Sequence, residues 1–348
     1  MEDEGLMKIF YRKYLLLFLT LSILLFTGCA REEKVGKIPP RKTIGVSFAR
    51  MNDTTSSFIR EAMEDLTERD NIELILLDAE ENEIKEKENL EKLLEAKADV
   101  IIIQPVKSKN KEIEGVLKKI KEKNIPLVAM DRILEDTKLD AYVTSNNFRA
   151  GVEQAKYLTQ QIEEQGQVLI LKGDREDNVA LEISAGNLEI LRKNQKIDIV
   201  NDEWHQNWSA EMAEETVRRT LEKHPDLKGI LANNDAMTMA AIKVLKEKKL
   251  TDKIITVGAD ASKEACLAIA RGEHDADVDK MPYVLGMVSF KVASSLAREE
   301  PWEYDREIKN GEYDVRVKVT PIMLIDKYNL ITIRDRWPEL NQYIKTVK

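Results

Sequence analysis

Four short clusters in this 348-residue chain have residue types and spacing that could do chemistry: Asp131-Arg132, Asp174 to Asn178, Asn233-Asn234-Asp235 and Asp260. Each follows a short apolar run, namely Leu127–Met130, the run ending at Leu171, Gly229–Leu231 and Ile254–Val257. Carboxylates and amides accept hydroxyl protons, and guanidinium groups donate to hydroxyl and ring oxygens, so such a set suits recognition of a polyol. Each cluster also has a plainer reading. Asp131-Arg132 taken alone is equally a helix cap beside a surface ion pair. Asp235 stands where a helix begins and suits an N-cap, which leaves Asn234 as the better ligand residue. Trp204 and Trp208, spaced i, i+4, are either a hydrophobic pair on a helix or, in the case of Trp208, a platform for a ring.

The same survey argues against catalysis. The chain has no Gly-x-Ser-x-Gly, no Walker loop and no Gly-x-Gly-x-x-Gly. His205, His224 and His274 are far apart, and Cys266 sits in a helical pattern that suits a small buried residue. Asp275, Asp277 and Asp279 alternate, but an EF-hand loop wants Gly sixth and Glu twelfth, where Lys280 and Gly286 stand. Alternation on a strand face is the simpler account. The expectation is a binding protein with no metal and no cofactor.

The elements that would position these clusters are legible from Lys42 onward. Short β-branched runs, beginning with Thr43–Phe48 and Glu73–Leu77, alternate with amphipathic stretches such as Phe58–Glu68, Val152–Glu164 and Ala236–Lys246. The continuously apolar Val100–Ile103 is what a strand covered by helices on both faces requires. Regular β-α alternation gives doubly wound α/β sheets, whose ligands bind at the carboxyl ends of the strands. The number of units exceeds one comfortable sheet, so two lobes are expected. The charged stretch Glu80 to Lys97 reads as a solvated helix face.

The first residues differ in kind. Lys8, Arg12 and Lys13 precede the apolar run Tyr14 to Phe26, which ends in Thr27-Gly28-Cys29. That is the pattern of a cleaved export signal rather than a membrane span, and its ending resembles a bacterial lipobox with Cys29 as the acylated residue. Acidic residues before Met7 oppose export and suggest Met7 as the start of translation. Residues 30–41 read as a polar tether. With 63 acidic against 54 basic residues and a net charge of −9, nucleic acid is not an expected partner.

The segments at the strand ends resemble the periplasmic sugar-binding proteins of the ribose/xylose group, with their type I fold, and most of all the xylose-binding branch. The likeness runs over nearly all of residues 42–335. It is carried by Asp131-Arg132, by GDREDNVALEISAGN (173–187), DEWHQNW (202–208), ANNDAMTMAAIKVL (232–245), VGADASKEACLAIARG (257–272) and VTPIMLIDKYNL (319–330). The resemblance implies that Asp131 and Arg132 grip hydroxyls from one lobe. From the other lobe and the hinge it implies Asn178, Asn234, Asp260 and Lys280, with Trp208 stacking on the sugar. In the first loop the xylose branch places a basic residue and a stacking aromatic. Here Asn52 to Phe58 follows Arg50, so either Phe58 is the second platform, displaced by a residue or two, or that platform is absent.

The fold so implied is two Rossmann-like lobes joined by a three-segment hinge. One lobe comprises residues 42–145 with 282–317 and the other 146–281 with 318–348, after a signal peptide over 1–29 and the tether. The implied function is an extracellular lipoprotein that closes over a monosaccharide, D-xylose first among them. Its partner is then the permease of an ABC importer or, alternatively, the sensor domain of a membrane histidine kinase.

Overall fold

A computed structural model describes residues 40–344. The export signal, Cys29, nearly all of the tether and residues 345–348 lie outside the described residues.

Burial organises the first sheet. All four residues of the Val100–Ile103 run are fully buried, and successive side chains point to opposite faces. Val100 and Ile102 join Ile44, Val46, Ile59, Met63 and Phe290 on one side, while Ile101 and Ile103 join Leu90, Leu93, Val116 and Ile120 on the other. Each such side chain contributes about 1.5–3 kcal/mol when buried, so the strand is fixed by two cores at once. The sheet contains β1 (Lys42–Phe48), β2 (Ile72–Asp78), β3 (Val100–Ile103), β4 (Leu127–Met130), β5 (Ala141–Ser145), β11 (Arg306–Asn310) and β12 (Tyr313–Thr320). Their order is β11-β12-β5-β4-β3-β1-β2, parallel except for the β11–β12 hairpin. Helices α1 (Thr54–Thr67), α2 (Glu83–Glu95), α3 (Glu114–Glu122) and α9 (Pro282–Ala297) cover it.

The second sheet contains β6 (Gly166–Lys172), β7 (Ile197–Trp204), β8 (Leu227–Ala232), β9 (Ile255–Ala259), β10 (Ala276–Asp279) and β13 (Met323–Asp326) in the order β13-β10-β9-β8-β6-β7. Only β13 is antiparallel to its neighbour. Around it lie α4 (Asn147–Gln161), α5 (Asn178–Leu191), α6 (Ala210–Lys223), α7 (Asp235–Lys248) and α8 (Lys263–Ala270). Helices α4 and α5 touch backbone to backbone. A Cβ on Gly151 would lie 1.9 Å from the Ile183 carbonyl oxygen, and one on Gly186 would lie 2.1 Å from that of Phe148. No larger residue fits either position.

The chain passes between the sheets three times: after Ser145, between Asp279 and Pro282, and between Thr320 and Met323. Lys318, Val319 and Thr320 pair with Val143, Thr144 and Ser145 of the first sheet. The last boundary therefore falls after Thr320, not after 317, because the β12 ladder runs to its end before the chain leaves.

Two local readings change. The stretch from Glu80 to Lys97 is not wholly a solvated face, since Glu86 is fully buried in α2. Its carboxylate accepts from the Val106 amide at 2.8 Å and from Asn110 Nδ2 at 2.7 Å, and burial pushes its carboxyl up to about 7. Asp275, Asp277 and Asp279 do lie on and beside a strand, but β10 is buried on both faces. Each of the three is occupied by its own chain, through the amides of Thr256 and Ala261 and the guanidinium of Arg336 respectively.

Candidate ligand-binding cleft

The carboxyl ends of both sheets converge on a cavity of about 320 Å³. In the first sheet β2 and β3 lie on either side of β1, and in the second β7 and β8 lie on either side of β6. These are the switch points at which doubly wound sheets open a crevice.

Asp131 ends β4 with φ +65, a conformation that costs a non-glycine residue roughly 1–2 kcal/mol. Hydroxyls offset that cost: Tyr142 donates to the Asp131 carbonyl at 2.8 Å and Thr144 at 3.0 Å. The turn aims the Asp131 carboxylate into the cavity, where Gln104 Nε2 is 3.4 Å away. Arg132 follows, and its Nε lies 3.0 Å from Asp177 Oδ2 of the other lobe.

Asp177 holds three things together. Its Oδ1 accepts the Val179 amide at 2.9 Å and so caps α5, and its Oδ2 takes Arg132 and, at 3.3 Å, the Trp208 indole N–H. Burial raises its carboxyl, with Arg132 opposing that rise. Asn178, expected among the ligand residues, does not line the cavity. The Asp177 cap starts the helix so that the Asn178 side chain turns to the first lobe. There its Oδ1 accepts the Ile133 amide at 3.1 Å and its Nδ2 donates to the Tyr142 hydroxyl at 2.8 Å.

Trp208 lines the cavity from a short turn, Gln206–Trp208, with φ +53 at Asn207 and +57 at Trp208. The helical pairing of Trp204 with Trp208 does not occur. Trp204 ends β7, where the Lys172 ammonium sits 4.5 Å over its ring. Gly173 lets the Trp208 indole in, since a Cβ there would lie 2.4 Å from Cζ3.

Asn234 and Asp260 close the floor. The N-cap of α7 is Asn234 rather than Asp235: its Oδ1 accepts the Met237 amide at 3.0 Å, which leaves Nδ2 as its free donor group. Asp235 lies one residue inside the helix and accepts the Ser262 amide at 2.7 Å. Lys280 Nζ lies 2.9 Å from Asp260 Oδ1, with side chains 13% and 23% exposed. Burial pushes the Asp260 carboxyl up to about 6 against the pull of Lys280. Burial works against the Lys280 charge, but Asp260 and Asp131 outweigh it and hold the ammonium well above its usual range.

In the first loop Asp53 caps α1, accepting the Ser56 amide at 2.8 Å, and Arg50 pairs with Glu81 at 3.0 Å. Phe58 lines the cavity, with its ring met edge-on by Trp337 at 5.3 Å. Asp131, Arg132, Trp208, Asn234, Asp260, Lys280 and Phe58 are thus brought together, and Asn178 stands outside. Sequence reasoning kept Asp177 only as a member of the Asp174 to Asn178 cluster, with no role of its own, and missed Arg336 and Trp337. An Asp-Asn pair ahead of an apolar run is a capping signal that could have found Asp177.

His205, His274 and Cys266 are buried and committed to packing. The His205 ring bridges the Lys172 carbonyl at 2.8 Å and the Thr216 hydroxyl at 3.1 Å. Burial lowers His274 to about 4. Cys266 is fully buried in α8, and burial followed by Asp277 and Asp235 drives its thiol far up. The cavity itself presents donors and acceptors beside the indoles of Trp208 and Trp337.

A family model described as periplasmic binding protein domain matches residues 44–301. The D-xylose-binding periplasmic protein of Escherichia coli K12 is 27% identical over 253 residues, covering 72% of this chain and 76% of that one. The ribose import binding protein RbsB of Bacillus subtilis is 23% identical, covering 82% and 93%. Among solved structures, an ABC transporter solute binding protein of Bacillus halodurans with bound myo-inositol superposes with a TM-score of 0.72 at 21% identity, covering 85% of this chain and 98% of that one.

Proposed function

The chain belongs to the periplasmic binding protein domain family, and from that premise we propose that it is an exported solute-binding lipoprotein that binds a monosaccharide between its two lobes and catalyses nothing. The observation that carries this reading is the cavity wall: Asp131 and Arg132 from one lobe face Trp208, Asn234 and the Lys280–Asp260 pair from the other lobe and the hinge. Charged hydrogen-bonding groups beside the Trp208 indole suit a small ring bearing hydroxyls on its edge and C–H bonds on its faces.

In this reading Asp131, Asp260 and Asn234 engage hydroxyls, Arg132 and Lys280 donate to sugar oxygens, and Trp208 stacks. The lobes rotate about the three crossings, and the sugar selects the closed form because only there does it touch both lobes. D-xylose is the first candidate, from the likeness of the Trp208 segment to the xylose branch. Cys29 would carry the anchor, and the closed form would be delivered to the permease of an ABC importer. A kinase-coupled receptor shares the binding step and differs only in the membrane protein that reads it.

Thermal unfolding of residues 30–348 against pentoses and hexoses tests the proposal. A sugar present at a hundred times its dissociation constant adds about 2.7 kcal/mol. A shift with D-xylose supports the full reading, a shift with another sugar moves the specificity, and no shift across the panel rejects a monosaccharide ligand.

A further inference from the structure

The C-terminal segment lies beyond the 44–301 match to the family model, yet it reaches the cavity. After β13 the chain packs Leu330, Ile333 and Leu340 against Cys266 and Ile269 of α8. That anchorage presents two residues to the cleft. Arg336 makes a double contact with Asp279 at the hinge, Nη1 to Oδ1 at 2.9 Å and Nη2 to Oδ2 at 2.7 Å. The Trp337 indole N–H donates to the Ala261 carbonyl at 3.0 Å, beside Asp260. Both side chains line the cavity.

From the other lobe, the ring of Phe58 on α1 meets the Trp337 ring edge-on at 5.3 Å and takes the Arg336 guanidinium at 5.4 Å from its centroid. The two Phe58 contacts join the lobes, whereas the Ala261 and Asp279 contacts lie within the second lobe and its hinge. Trp337 is thus held by its N–H on one lobe and by its ring on the other. It is a cavity wall that both lobes contact.

We propose that Trp337 is the second aromatic wall of the sugar site, backed by Phe58 rather than replaced by it, and that it selects ligands whose ring offers an apolar C–H face. This rests on the monosaccharide reading above. Two indoles, Trp208 and Trp337, then line one cavity together with charged groups such as Asp131, Arg132, Asp260 and Lys280, which favours pyranose rings over open-chain polyols of similar hydroxyl count. Phe58 acts as a positioning residue: it fixes the Trp337 ring when the lobes meet.

The test is titration calorimetry of wild type, Trp337→Leu, Trp337→Phe and Phe58→Leu with the sugars that shift the melting temperature, together with tryptophan emission. Loss of a ring contact in Trp337→Leu weakens binding about tenfold, while Trp337→Phe, which keeps a ring, stays within about threefold of wild type. The ligand-induced emission change shrinks in Trp337→Phe, and an open-chain pentitol binds Trp337→Leu and wild type with similar affinity. Unaltered sugar affinity in Trp337→Leu overturns the proposal while leaving the monosaccharide reading standing. If Trp337→Leu does not fold, an undiminished emission change in Trp337→Phe overturns it instead. A wild type silent to every monosaccharide overturns both readings, and that result is separate from the variant comparison.

Discussion

Arg132 of the first lobe places its Nε 3.0 Å from Asp177 Oδ2 of the second, in a pair whose side chains are 24% and 8% exposed. The same Asp177 oxygen takes the indole N–H of Trp208. One carboxylate therefore ties the first lobe's cation, the second lobe's aromatic wall and the start of α5.

Replacing Asp177 by Ala leaves Arg132 without its partner and Trp208 without its anchor. A hydrogen bond to a charged group contributes about 1.5–3 kcal/mol, so affinity for the bound sugar falls roughly ten- to hundred-fold. Titration calorimetry measures it, and an unchanged dissociation constant shows that the lobes close without this pair.

Binding depends on pH through Asp260, whose carboxyl sits at about 6 in the ligand-free protein. A sugar hydroxyl that donates to Asp260 favours the ionised form, so the complex holds fewer protons than the free protein below that value. Affinity is then flat above about pH 6.5 and drops by up to about tenfold per pH unit below 6. Asp260→Asn binds more weakly at neutral pH and loses the step.

Gly173→Ala sets a methyl 2.4 Å from Trp208 Cζ3. The indole has to leave its place, and overpacking of this kind costs about 1–3 kcal/mol of stability. The variant is expected to keep its circular dichroism spectrum and lose most of its sugar affinity. Full affinity with a displaced indole in a crystal structure removes Trp208 from the site.

Asn178→Ala offers the contrast to a ligand residue. Its amide braces the turn at Ile133 and the Tyr142 hydroxyl that in turn holds the Asp131 carbonyl. Binding weakens severalfold for every sugar alike, because the turn and the closed form loosen together. Asp131→Ala, by contrast, changes the ranking of sugars. A changed ranking in Asn178→Ala shows contact with the ligand.

How far these residues could be read from sequence follows from their elements. Asp131, Arg132, Asn234 and Asp260 follow short, largely apolar strands, and a buried parallel strand advertises both itself and its carboxyl end. The 177–178 pair could not be assigned so simply, because the cap decides which of two adjacent polar side chains faces the cavity and which faces the other lobe. At 234–235 the same ambiguity resolved the same way, with Asn234, like Asp177, as cap and cavity residue together. Trp337 follows the last strand, where no β-α spacing remains to point toward the cleft. Its role comes from the packing of Leu330, Ile333 and Leu340, visible only in three dimensions.

The burial of Cys266 has a practical consequence. Its thiol is shielded from solvent and kept protonated by burial first and by its acidic neighbours second, so it offers little to a maleimide or to oxidants. In a protein beginning after Cys29, a cysteine introduced at Thr54, which is exposed at the cavity edge, would be the one thiol available to a dye. A fluorophore fixed there would turn lobe closure into an optical signal, making the molecule a reagentless sugar sensor with Cys266 left in place.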